Sequence, residues 1–257
     1  MTAPDLLLDA SNLIVRAYFA TGGVHPQNVL RDRLREYQHV FGPRHVIAAL
    51  DSPSNFRKRL EPTYKGQRGS KPPELEALLR RGAELMGALG CICAAAPDHE
   101  ADDVMATLAE RAPGNVVIVT TDADLHACVR DEVQVYSPGT RKRFTQMDYE
   151  AKYGFPRERF ALYKALCGCE SDNIPGVRNV GPARAQKVVA RCGTVEGVYS
   201  ELGSFDRTTQ AGLQETTPEA IHAAMQLTRL VSTAPVRRIS TATAGSSGAP
   251  RKPRGEE

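Results

Sequence analysis

The stretch Val116-Val117-Ile118-Val119-Thr120-Thr121-Asp122-Ala123-Asp124 decides the fold. Four consecutive β-branched residues form a run too short for a membrane helix and too uniformly apolar for a half-exposed strand. It reads as a buried strand of a parallel sheet, ending on acids. Two other runs end the same way: Leu6-Leu7-Leu8 stops at Asp9, and Val46-Ile47-Ala48-Ala49-Leu50 stops at Asp51. Residues 133–136 make a further short strand before the turn Ser137-Pro138-Gly139. Between the strands, Ala101, Val104, Met105, Leu108 and Ala112 follow helical spacing and stop at Pro113-Gly114. Alternating strands and helices predict an α/β core with a mostly parallel sheet and flanking helices, over about residues 1–148. From about Tyr149 the pattern turns helical to about 235, and 236–257, rich in Ala, Gly, Ser and Pro, is expected to be a disordered tail.

In a parallel sheet the carboxyl ends of all strands lie on one edge, where α/β proteins bind ligands. Asp9, Asp51 and Asp122 therefore meet there, with Asp124 beside them. An aspartate after a strand also caps the next helix, which would account for one of them but poorly for three. Asp98-His99-Glu100-Ala101-Asp102-Asp103 adds four acids at one helix start, more than a helix dipole needs. Residues 95–125 hold seven acids and one base. Carboxylates so crowded repel unless protonated or bridged by a cation. An all-oxygen donor set suits a hard ion, Mg²⁺ or Mn²⁺. Two such ions are a standard device for phosphodiester cleavage.

The opposite charge follows Asp51. Residues 54–72 carry six bases and one acid, with Phe56 and Tyr64 among them, a pattern suited to a nucleic-acid strand. Further on, Ile174-Pro175-Gly176-Val177-Arg178-Asn179-Val180-Gly181-Pro182 reads as a tight hairpin before a helix that carries Arg184 and Lys187. Glycines admit a phosphate to the backbone and the helix start offers free N–H groups.

The 257 residues carry 33 bases and 30 acids, a net charge of +3 that conceals these two opposed fields. At 41% hydrophobic and 25% charged, the chain excludes wholesale disorder and a coiled coil. It shows neither a membrane-length apolar run nor a secretory signal, so a cytoplasmic monomer with no membrane partner is expected. The six cysteines read as reduced thiols, since no histidine pair completes a zinc set.

Taken in order, these motifs resemble the flap endonuclease superfamily over about residues 6–199, in particular the 5′-nuclease domain of bacterial DNA polymerase I and its phage and stand-alone relatives. The resemblance is carried by Leu8-Asp9-Ala10-Ser11-Asn12 with Arg16-Ala17-Tyr18, by Ala49-Leu50-Asp51 with Phe56-Arg57, and by Tyr64-Lys65-Gly66-Gln67-Arg68. Glu100-Ala101-Asp102-Asp103, Thr121-Asp122-Ala123-Asp124 and Ser171-Asp172-Asn173-Ile174-Pro175-Gly176-Val177 complete it.

The resemblance implies a PIN-like core with a helical arch at about 52–80 and a helix-hairpin-helix at about 172–191. It implies a structure-specific 5′-3′ exonuclease and flap endonuclease that cuts DNA near single-strand/duplex junctions. By the same carry-over Asp9, Asp51, Glu100, Asp102 and Asp103 serve a first metal, and Asp122, Asp124 and Asp172 a second. Arg57, Lys65 and Arg68 hold phosphates; Arg16 and Tyr18 sit at the junction; Gly176, Gly181, Arg184 and Lys187 meet the duplex. Backbone carbonyls of Val177 and Val180 hold a monovalent cation, K⁺. The expected partners are DNA with 5′ ends or flaps and a separate DNA polymerase.

Cys169 is a departure, standing where the family writes the first aspartate of Gly-Asp-x-x-Asp-Asn. A thiol is a poor Mg²⁺ ligand. This leaves a second expectation, a branched-DNA-binding relative with weakened nuclease activity. A PIN-type RNase is the third reading, and the basic insertion and the hairpin argue against it.

Overall fold

The computed structural model describes residues 3–240. A seven-stranded sheet is assembled in the order β6-β5-β4-β1-β2-β3-β7. Its strands are β1 (Asp5–Asp9), β2 (His45–Ala49), β3 (Ile92–Ala95), β4 (Val116–Val119), β5 (Val133–Ser137), β6 (Lys142–Phe144) and β7 (Arg237–Arg238). The five central strands run parallel, and β6 and β7 close the two edges antiparallel.

Alternation along the strands sorts the core into two layers. Leu6 and Leu8 of β1, with Val117 and Val119 of β4, pack on one face against α1 (Ala10–Ala20), α2 (Pro26–Phe41), and the pair α4 (Pro73–Arg80) and α5 (Gly82–Ala88). Leu7, Val116 and Ile118 point to the other face, against α6 (Ala101–Arg111) and the helical region. That region comprises α7 (Gln146–Tyr153), α8 (Phe160–Cys167), α9 (Pro182–Cys192), α10 (Val195–Ser200), α11 (Arg207–Gln214) and α12 (Pro218–Thr228). Because β1 pairs with β2 on one side and β4 on the other, the strand order reverses beside β1. The crevice at that reversal is where the acids arrive.

The segment expected to form the arch contains the one-turn helix α3 (Phe56–Leu60), turns over 62–67, and α4. Two expectations are corrected. Strand β3 went unread because its Ile-Cys-Ala-Ala sequence has too few large β-formers to stand out. The tail does not begin at 236: Arg237–Arg238 pairs with β3, and the Ile239 N–H donates to the Cys93 carbonyl at 2.8 Å. Residues 241–257, the rest of that expected tail, lie outside the described residues. All six cysteines are free thiols, as read.

Candidate metal and nucleic-acid site

Asp9 ends the buried strand β1 and caps α1. Its Oδ1 accepts from the Asn12 N–H at 2.9 Å and its Oδ2 from the Thr120 hydroxyl at 2.9 Å, which fixes the carboxylate across the β1–β4 crevice. Asp51, just past β2, is held by the Ser11 hydroxyl at 2.6 Å and the Ala101 N–H at 2.9 Å. Asp51 is thereby tied to the first turn of α6, which Glu100 caps and which carries Asp102. Asp122 starts a 3-10 turn and accepts the Asp124 N–H at 2.8 Å. A groove of about 560 Å³ is lined by Asp9, Asp51, Glu100, Asp102 and Asp122, with Lys65 and Arg68 over it.

The electrostatics record the crowding. Burial pushes the Asp9 carboxyl up to about 6; the charges of Asp51 and Asp122 add to the rise, against the hydrogen bonds from Asn12 and Thr120. Asp102 is raised well above the usual carboxylate range, first by burial and then by Asp9 and Asp122. A divalent cation would relieve both, and the donors are oxygens throughout, so the residues fit a hard ion. Among the described residues no three acid, Cys or His side chains already form a ligand cage.

Lys65 and Arg68 come from the strap between α3 and α4, which is fastened at both ends. At one end Glu100 accepts from the Lys65 ammonium and, at 3.0 Å, from the Tyr64 hydroxyl. At the other end Arg68 pairs with Asp172 at 2.8 Å and Asn173 binds the Thr63 hydroxyl at 2.8 Å and Gln67 at 2.7 Å. Lys65 has φ of +57°, a left-handed conformation unfavourable for a lysine, which the surrounding bonds hold in place. Burial alone would lower the Lys65 pKa, but Glu100 raises it, so the ammonium stays charged.

Two expectations do not survive the geometry. Arg57 is only 2% exposed and forms a two-pronged ion pair with Asp103, at 2.7 and 2.8 Å, instead of facing the groove. Its remaining donors reach the carbonyls of Leu227 and Arg229, and the Val231 N–H reaches Asp103. With its carboxylate saturated and 0% exposed, Asp103 is a structural partner of Arg57 and not an available ligand, and Arg57 is not a phosphate clamp. One prong also touches Glu100 at 3.2 Å, so the pair steadies the groove from behind.

Asp124 and Asp172 lie on the helical side. Asp124 is paired with Lys164 of α8 at 2.6 Å. Burial raises the Asp124 carboxyl, Lys164 opposes the rise and Asp122 adds to it. The Cys169 thiol sits 3.3 Å from the Ser171 hydroxyl, and Glu170 is exposed. Sequence reading missed Lys164, although a lone cation in the apolar run Phe160–Cys167 was a visible signal. It also missed Ser11 and Thr120, whose hydroxyls aim the carboxylates.

The hairpin before α9 depends on close backbone crossing. A Cβ on Gly176, at φ +67°, would come within 2.5 Å of the Gly168 nitrogen. Val177 and Val180 are buried, and the Val177 carbonyl accepts the Val180 N–H at 3.0 Å. Gly181 caps α9, from which Arg184 and Lys187 are exposed to solvent. Arg16 is exposed beneath the Gly139 turn, and Tyr18 packs edge-on to Phe19 at 5.3 Å.

Residues 4–154 match the family model of the 5′-3′ exonuclease N-terminal resolvase-like domain, and 155–246 that of the 5′-3′ exonuclease C-terminal SAM fold. The chain is 33% identical over 223 residues to DNA polymerase I of Mycobacterium bovis, covering 77% of this chain and 24% of that protein. It is 30% identical over 213 residues to a 5′-3′ exonuclease of Aquifex aeolicus, covering 78% of this chain and 74% of the relative. The chain thus spans about a quarter of the polymerase relatives and most of the Aquifex protein. Among solved structures, the bacteriophage T5 D15 flap endonuclease in a pseudo-enzyme-product complex with DNA and metal ions has the same fold. The TM-score is 0.73 at 21% identity, over 89% of this chain and 90% of that one. Among the described residues no helix is long and apolar enough to cross a membrane.

Proposed function

The chain belongs to the 5′-3′ exonuclease family, and from that premise we propose that it hydrolyses DNA phosphodiester bonds near 5′ ends or flaps, at the single-strand/duplex junction, with divalent metal. The observation that carries this reading is the groove in which Asp9, Asp51, Glu100, Asp102 and Asp122 meet beneath Lys65 and Arg68. A relative solved with DNA and metal ions supports it.

Asp9, Asp51, Glu100 and Asp102 would hold a first Mg²⁺ or Mn²⁺, and Asp122, Asp124 and Asp172 a second. Such ions, when bound, supply an activated water and neutralise the leaving oxygen. The protein's own groups do the rest. Ser11 and Thr120 keep Asp51 and Asp9 aimed at the groove. Lys65 and Arg68, charged and held by the strap, offer donors to the scissile and neighbouring phosphates. The Tyr64 hydroxyl, hydrogen-bonded to Glu100, keeps that end of the strap down. Arg184 and Lys187 add sequence-independent grip on the duplex, and the Val177 and Val180 carbonyls are the proposed K⁺ ligands. A DNA polymerase is the proposed working partner.

Two observations favour a second reading, a branched-DNA binder with weak cleavage. Cys169 removes a carboxylate from the second group, and Lys164 already occupies Asp124.

A 5′-labelled flap duplex incubated with Mg²⁺ or Mn²⁺ separates the two. Labelled product ending within a few nucleotides of the junction supports the nuclease. Tight binding without product, in either metal, establishes the binder. Cleavage of RNA hairpins with no attack on flapped DNA overturns both.

A further inference from the structure

Two ion pairs fasten the strap over the groove, Lys65 with Glu100 and Arg68 with Asp172. Both spend groups that the proposed function needs elsewhere. Glu100 and Asp172 are carboxylates assigned to metal, and Lys65 and Arg68 are cations assigned to phosphate. When those duties begin, both pairs weaken. The strap then loses its charged fastenings at the moment its cations must be held still.

A third fastening carries no charge. Asn173 follows the short turn Glu170–Asp172 with φ of +59°, a left-handed conformation that asparagine adopts more readily than most side chains. Its Nδ2 donates to the Thr63 carbonyl at 3.2 Å and to the Thr63 hydroxyl at 2.8 Å. Its Oδ1 accepts from the Gln67 amide at 2.7 Å. One side chain thus grips the strap on both sides of Lys65 and next to Arg68. The Thr63 hydroxyl donates onward to Glu61 at 2.7 Å, which fixes it as an acceptor. The Lys65 N–H donates to the Asp172 carbonyl at 3.0 Å between the two grips. The anchor itself is braced, since Cys169 and Ile174 exchange backbone hydrogen bonds at 2.8 and 2.9 Å.

We infer that Asn173 is a positioning residue for cleavage: its amide keeps Lys65 and Arg68 in place over the groove when their ion pairs to Glu100 and Asp172 are given up, an inference that rests on the nuclease reading above. Neither metal nor phosphate competes for its three neutral bonds as they do for the ion pairs. Its contribution is to orientation, where an error of about 1 Å costs up to about 10²-fold in rate.

The test compares wild type with Asn173→Gly, which keeps the left-handed backbone and removes the amide. Single-turnover cleavage of a saturating 5′-labelled flap in Mg²⁺ should fall about 30-fold. Flap affinity with Ca²⁺ replacing Mg²⁺, and Mn²⁺ affinity, should each stay within about threefold. In the metal-free protein, hydrogen exchange at the Lys65 N–H should quicken on the order of tenfold, with the melting temperature lowered by less than about 4 °C. Thr63→Val should lose part of the cleavage rate, and Thr63→Ser should restore it. Thr63→Val/Asn173→Gly should be no slower than Asn173→Gly, because both changes cut the same bond. Cleavage by Asn173→Gly within about twofold of wild type overturns the positioning role. A rate loss matched by an equal loss of Mn²⁺ affinity, or by faster exchange throughout the chain, also overturns it. An unchanged Lys65 exchange overturns the latch whether or not the chain cuts DNA. A wild type that leaves flapped DNA uncut overturns the nuclease reading itself.

Discussion

The two carboxylate groups on either side of Asp9 are built from similar acids but compensated differently. On the α6 side, Asp9, Asp51, Glu100 and Asp102 face Lys65, and Arg57, mostly committed to Asp103, reaches only Glu100, at 3.2 Å. On the α8 side, Asp122, Asp124 and Asp172 face both Lys164 and Arg68, and a thiol stands in the remaining corner. The first group is left with an excess of negative charge centred on the buried Asp9, and the second is almost balanced by resident cations. A divalent ion therefore relieves far more repulsion in the first. Cation demand follows from how many side-chain cations the fold has already placed, and not from the number of acids alone.

The contrast breaks most visibly at Asp102. Asp102→Asn should reduce Mg²⁺-dependent cleavage on the order of 10³-fold. It should also raise the metal-free melting temperature at pH 8, since it removes a charge that burial and Asp9 disfavour. Calorimetry with and without Mg²⁺ reads the second effect; a fall in the metal-free melting temperature would show that the carboxylate is not under repulsion.

Arg57→Met sharpens the contrast by separating scaffold from site. Asp103 would be left buried and unpaired, at a cost of about 3–5 kcal/mol. For a chain of this size that is a drop in melting temperature of roughly 6–20 °C. An Arg57 that served only phosphate would leave the melting temperature unchanged.

The third prediction concerns pH. The folded-state carboxyl of Asp9, near 6, lies above the ordinary 3.8, so the folded protein favours its protonated form. Its contribution to stability is full below about 4 and is lost as pH rises through 6. Asp102 and Asp124, also raised, act in the same direction. The Asp9 contribution alone should lower the metal-free melting temperature by about 3–6 °C between pH 5 and pH 8. Mg²⁺ should restore most of it. Subtracting the same scan on Asp9→Asn isolates the contribution, and identical pH profiles for the two proteins would contradict it.

Cys169→Asp gives the smallest effect. It returns a carboxylate to the second group, and Mn²⁺ titration should show up to about tenfold tighter binding there, with cleavage changed by less than that factor. A large gain in cleavage would mean that the thiol had been limiting the enzyme.

Much of this was legible in the sequence for a physical reason. A strand that ends on an acid is a local pattern, and a parallel sheet gathers all such ends on one edge. Asp9, Asp51 and Asp122 could therefore be placed together before any coordinates. The pairing of Arg57 with Asp103 was not legible, because it spans 46 positions and depends on carbonyls of Leu227 and Arg229, in a segment that shows no chemistry of its own. Among six bases in one stretch, sequence cannot tell the one that turns inward. Lys65 and Arg68 line the groove, and the strap pins them to Glu100 and Asp172. The edge strand β7 escaped notice because two arginines before a Ser- and Gly-rich run read as solvent-facing, whereas their backbone is what pairs.

The central claim is that the Asp9–Asp51–Glu100–Asp102 group drives cleavage and the Lys164-compensated group assists it. Single-turnover cleavage of a 5′-labelled flap in Mg²⁺, measured side by side for wild type, Asp51→Ala and Asp172→Ala, tests it most directly. The account predicts a loss on the order of 10³-fold for Asp51→Ala and at least tenfold less for Asp172→Ala. Equal losses, or a greater loss at Asp172, would contradict it.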